Sequence, residues 1–136
     1  MDYADLREGI YDALCSIPAI QDSGSPPQGR VFREWVADAD TEKPFLEFAF
    51  IGEIAPPNKC ALFMQVEVLC FGDPDHTLDK LADDVVSLLH HQPVVMPSGA
   101  INELCYIRDS RMDIWSEALN AHGVRLKFWL PSRFYT

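Results

Sequence analysis

The sequence predicts an α+β fold: a mostly antiparallel or mixed sheet of about four to six strands with two helices packed on one face, in the order α-β-β-β-α-β-β. Three observations predict it. Two long runs, Pro44–Ile54 and Cys60–Phe71, alternate in side-chain character at the period of a strand. Two other segments, Tyr3–Ile17 and Leu78–Leu89, repeat apolar residues at helical spacing. The strand-like runs are clustered instead of strictly alternating with helices, which is the α+β pattern.

In chain order, Tyr3, Leu6, Ile10, Ala13, Leu14 and Ile17 form one apolar stripe, ended by Pro18. Residues 21–29, QDSGSPPQG, read as a flexible surface loop. Arg30–Val36 is a short-strand candidate, and residues 37–43, ADADTEK, form an acidic protruding loop. In the first long run Leu46, Phe48 and Phe50 lie opposite Phe45, Glu47, Ala49 and Ile51. In the second, Leu62, Met64, Val66, Val68 and Cys70 lie opposite Phe63, Gln65, Glu67, Leu69 and Phe71. The APPNK turn between the runs makes them an antiparallel hairpin.

Gly72 breaks the second run, and Asp73 is the expected cap of the following helix. Pro74 would then take the first helical position, and Asp75 would sit near the positive dipole end. Leu78, Leu81, Val85, Leu88 and Leu89 give that helix its apolar stripe, and Asp79, Lys80, Asp83 and Asp84 its acidic opposite side. Pro93–Gly99 reads as a loop or short edge element, and Ile101–Asp109 alternates weakly. Ser110–Asp113 is a polar interruption before Trp115–Asn120, and His122 falls in a turn. Gly123–Leu130 is the last strand, stopped by Pro131, and residues 131–136 form a short tail.

The 136 residues fit one domain, 1–136, with 48% hydrophobic and 24% charged residues, ordinary for a globular protein. The net charge of −10 disfavours a nucleic-acid-gripping module, because an acidic surface repels phosphates. The start, MDYADLREGIYDALCSIP, is acidic and interrupted by charge, unlike a signal peptide, and no apolar run is long enough to cross a bilayer. Synthesis in the cytosol is expected, with no membrane partner. Cys15, Cys60, Cys70 and Cys105 sit far apart in apolar or alternating segments, the pattern of reduced core thiols.

No phosphate loop, dinucleotide fingerprint or nucleophile elbow is present. His76, His90, His91 and His122 show no ligand spacing, and no CxxC pair exists. Asp38–Asp40 and Asp73–Asp75 lack the glycine and distal glutamate of a calcium loop. The adjacent Asp83 and Asp84 lie on a solvated helix face, where nothing raises a carboxyl pKa for acid catalysis. The chain is therefore expected to be no enzyme, with no cofactor and no metal.

The aromatic residues argue differently. Trp35, Phe63, Phe71, Trp115, Trp129, Phe134 and Tyr135 exceed what one small core on one sheet side holds. A second apolar sheet face is covered by helices or by another chain, and with two helices the expected cover is a further copy. The candidate subunit-interface residues are Phe63, Leu69, Phe71, Arg108, Arg111, Trp115, Trp129, Phe134 and Tyr135.

Taken in order, the amphipathic first helix, the Pro/Gly-rich loop, PFLEFAFIGEI, MQVEVLCFG leading into DPDHTLDKLADDVVSLLHH, CYIRDSRMDIW and GVRLKFWL resemble a known family. It is that of the tail-completion, tail-terminator and tail-to-head joining proteins of long-tailed bacteriophages, the group of the minor tail protein U. The resemblance covers nearly the whole chain and lies in pattern, with no active-site motif.

It implies a virion protein of the tail or neck, assembled in the host cytoplasm as a homo-oligomeric, hexameric ring on the end of the tail tube. The ring would end tube polymerisation and meet the tail tube protein on one side and the head–tail connector or stopper protein on the other. DNA would pass through its bore without specific binding, which suits the acidic balance. Asp38, Asp40 and Glu42 are the candidate bore or tube contacts, and residues 132–136 the candidate contact with a neighbour. Two alternatives stay open: a connector, stopper or tail-tube-like protein of the same particle, and a cytosolic small-ligand-binding regulatory domain.

Overall fold

The computed structural model describes residues 3–21, 29–33, 41–54, 63–99, 101–103, 105–106 and 111–129. The first helix, α1, spans Tyr3–Cys15. It buries Leu6, Ile10 and Leu14, which the i, i+4 spacing stacks along one face. It ends at Cys15, two residues short of the expected Ile17, and Pro18 opens a single 3-10 turn, Pro18–Ile20, that seats Ile20 in the core.

Strand β1, Val31–Arg33, runs parallel to β2, Phe45–Ile54. β2 and β3, Phe63–Gly72, form the expected antiparallel pair, with Leu46 opposite Cys70 and Phe48 opposite Val68. A register shift between Phe50 and Gly52 leaves Ile51 as the extra residue of a bulge, and its side chain is exposed.

Helix α2, His76–Leu89, packs Leu78, Leu81, Ala82, Val85 and Leu89 inward. Its cap is Asp75, whose Oδ1 accepts from the Thr77 N–H at 2.8 Å. This corrects the assignment to Asp73. The Asp75 N–H instead donates to the Asp73 carbonyl at 2.7 Å, a tight turn that delays the first helical residue to His76 and leaves Pro74 outside the helix.

Beyond α2 come β4, Pro93–Val95, and β5, Ile101–Glu103, which pair with each other as a separate two-stranded sheet. β6, Cys105–Tyr106, β7, Met112–Ser116, and β8, Ala121–Trp129, complete the main sheet. Its order is β1-β2-β3-β8-β6, with β7 also on β8. β7 borders the first half of β8 and β6 its end, so the two share one edge. His122 lies within β8, opposite Gly72, and not in a turn.

The fold is α+β, with a mixed, open sheet and both helices on one face. The main core joins the inward sides of α1 and α2 to Leu46, Phe48, Val66, Val68, Cys70, Val124, Leu126 and Phe128 of the sheet. Among the described residues no helix is long and apolar enough to cross a membrane.

Candidate assembly surfaces

The face of the sheet away from the helices carries a second, smaller core. Phe45, Leu69, Phe71, Leu119 and Ala121 are buried there, with Phe32 and Ile114 packed at the margin. The rings of Phe45 and Phe71 stack at 5.1 Å, and Phe32 meets Phe45 edge-on at 5.8 Å. Gly123 stands opposite Phe71 on β8. A Cβ there would lie 2.9 Å from the Phe71 ring and from the Cys70 carbonyl oxygen, so glycine is what lets the ring lie flat across the neighbouring strand.

Two interface expectations are corrected here. Leu69 and Phe71, expected to face a neighbouring subunit, are 5% and 2% exposed. They are covered from within, by Phe45 of the adjacent strand and by the turn after β7 that brings Leu119 and Ala121 over them. Sequence periodicity reported their face correctly but could not show that a turn far along the chain closes over it.

Away from this cluster the same face turns polar. Glu67 stands opposite Lys127, and Arg125 opposite Leu69, one pair along. Opposite charges across adjacent strands favour this register. Glu47, on the neighbouring strand, is buried too. Arg125 also reaches Met112 of β7, with its Nη2 3.3 Å from the sulfur.

β7 forms the outer edge beside the start of α2. Trp115 is 51% exposed and lies against the ring of His122 at 4.7 Å. A groove of about 240 Å³ separates β7 from α2, lined by Pro74, Asp75, Leu78, Asp79, Asp113 and His122 among others. Arg111, just before β7, ties this edge to α2, with Nη2 2.9 Å from Asp79 and Nη1 3.1 Å from Asp83. Of the candidate interface residues, Trp115 and Arg111 thus share one edge, whereas Trp129 is half-buried at the far end of β8 beside β6.

The β4–β5 hairpin, built from the expected short edge element at Pro93–Gly99 and the start of the weakly alternating run at Ile101, is a surface absent from the candidate interface residues. Val94 and Met96 face inward, while Val95 and Ile101 stand opposite one another and exposed. Ser98 fastens it to α1, donating from its N–H and Oγ to the two carboxylate oxygens of Asp5 at 3.1 and 2.5 Å. Gly9 lets it approach, since a Cβ there would sit 3.1 Å from the Val95 carbonyl oxygen. The apolar run Val94–Val95–Met96 shortly before Gly99 was the available signal, too short to stand out.

Phe63 belongs to β3 by its backbone, but its side chain lies outside the described residues. Arg108, Phe134, Tyr135, Asp38 and Asp40 lie outside them too. Glu42 is exposed, 3.9 Å from Arg30. Among the described residues no group of three or more histidines, cysteines or carboxylates is placed to hold a metal ion.

No protein-family model matches the chain, and no curated protein matches it. Its fold is similar to that of a chain in the virion of a native gene transfer agent particle, with a TM-score of 0.54 and 14% sequence identity. The match covers 94% of this chain and 88% of that one. At this identity the likeness is one of fold.

Proposed function

We propose that this protein is a structural component of a phage-like virion, acting by assembly and not by catalysis. The observation that supports this reading is the fold likeness to a virion chain along nearly the full length of both proteins. Within such a particle the role we infer is that of a tail terminator. Copies form a hexameric ring on the end of the tail tube, stop its growth and offer the surface for head–tail joining. The sequence pattern resembles that family, and the exposed Val95 and Ile101 of the β4–β5 hairpin give each copy an apolar surface to contribute.

Native mass and negative-stain images of the purified protein, alone and with isolated tail tubes, test the proposal. Closed rings, or rings that appear only on tube ends, are expected. Helical tubes formed by the pure protein would transfer the assignment to a tail-tube-like role. A strict monomer that never associates with tail tubes would overturn it.

A further inference from the structure

We propose that the β7 edge, together with the groove beside it, receives an extended segment carrying Lys or Arg from a different protein. Three independent features meet there. Among the described residues β7 pairs with β8 alone, so its outer side presents main-chain groups able to accept another strand. The edge keeps two large apolar side chains in solvent, Met112 at 49% and Trp115 at 51% exposed, on opposite faces of the strand. Asp113 stands on the helix side with Trp115 and lines a groove of about 240 Å³ with Asp75, which caps α2, and Asp79, which is ion-paired with Arg111, so Asp113 is the carboxylate left to meet a cation.

The groove has room for one long side chain. A cation entering it would lie between Asp113 and the start of α2, close to the exposed Trp115 ring, and carboxylates and an aromatic face both favour cations. Asp113 makes no hydrogen bond or ion pair among the described residues, so it has charge to offer.

A second copy of this chain is the poorer occupant. The protein has 21 acidic against 11 basic residues, and like charges brought together at an interface are penalised. The opposite sheet edge, β1, carries Arg33, but that guanidinium is already paired with Glu8 and lies over the Tyr11 ring. The fitting partner is a basic segment from elsewhere, added as a strand along β7 with alternate residues reaching the groove. This inference stands on the edge itself and holds whether or not the copies form a ring.

The test titrates a labelled octapeptide alternating Lys and Val, and its Glu–Val counterpart, into the protein in whatever assembly state native mass finds. Binding is read by anisotropy and its location by amide hydrogen exchange. The expected result is saturable binding of the Lys peptide alone, with slowed exchange over Met112–Ser116. Asp113→Lys should weaken it about tenfold and Trp115→Ala about fivefold, while Asp12→Lys, at an exposed carboxylate of α1, changes it less than about twofold. Asp113 is exposed, so its variants should fold, and Asp113→Asn gives an intermediate loss without reversing the charge. No binding, equal binding of the Glu peptide, equal sensitivity at Asp12, or protection away from β7 would each overturn the proposal. So would self-association that Asp113→Lys abolishes.

Discussion

Phe45 and Phe71 stack across the β2–β3 pair with 5.1 Å between ring centroids and 27° between ring planes, on the sheet face that carries no helix. The contact makes the molecule a sheet with two cores. One lies under α1 and α2. The other is closed by a turn, and beyond it the same face turns polar towards Glu67 and Lys127. Among the described residues the exposed large apolar side chains therefore lie at the margins, on the β7 edge, on the β4–β5 hairpin and at Ile51 of the β2 bulge, whereas Leu69 and Phe71 of β3 are buried.

Phe71→Ala should cost about 3–5 kcal/mol, the range for truncating a buried aromatic, measured by urea unfolding. The Phe45 ring would lose its stacking partner, and Gly123 has no side chain to fill the space. If Phe71 served a subunit contact instead, the variant would disperse assemblies while leaving the stability of the single chain nearly intact.

The long elements were legible in the sequence because each carries its own period. Leu6, Ile10 and Leu14 show the inner face of α1, and Val66, Val68 and Cys70 that of β3. What periodicity cannot supply is who covers a face. Leu69 and Phe71 looked surplus because Leu119 and Ala121, which bury them, arrive from about fifty residues away through a turn with no strong signature. The pairing of β4 with β5 was hidden for a related reason, since three-residue strands are too short for alternation to say which neighbour they join. Trp115 stood out because a large aromatic at the edge of a short polar stretch has little of its own to pack against.

Two aspartates separated by one proline make a sharp test of helix capping. Asp75→Ala should lower stability by about 1 kcal/mol, because the Thr77 N–H loses its acceptor, and Asp75→Asn should restore most of the loss. Asp73→Ala should change little, since the bond Asp73 contributes comes from its backbone carbonyl. Thermal unfolding of the three variants decides between the caps.

Arg30 joins segments that the sequence keeps apart. Its Nε donates to the Pro44 carbonyl at 2.9 Å, Nη2 to Ala19 at 3.2 Å and Nη1 to Gln21 at 3.3 Å. Its side chain is only 11% exposed, so water cannot easily replace all three acceptors. Arg30→Ala should cost about 1.5–3 kcal/mol, the range for a hydrogen bond involving a charged group. It should also loosen the start of β2 in hydrogen exchange. Arg30→Lys should recover only part of this, because a single ammonium cannot reproduce the fork.

Cys70 gives a prediction in pH. Its thiol is buried among the main core, and burial pushes its pKa up to about 12, with Arg111 lowering it slightly. An unfolded thiol ionises near about 8.5. Below that value both states hold the proton, and the contribution to stability is fully present. Above it the unfolded chain releases the proton while the folded chain keeps it, so stability falls as pH rises towards 12. The slope from this one group is about 1.4 kcal/mol per pH unit across that window. Urea midpoints measured from neutral to alkaline pH should show the decline in the native chain and a shallower one in Cys70→Ala, whose remaining slope belongs to the other titrating groups. In a variant with Cys70 as its sole cysteine, a thiol reagent at mildly alkaline pH should react only at the rate of unfolding. Rapid modification of the folded protein, or identical slopes in the two chains, would show that this thiol is reached by water.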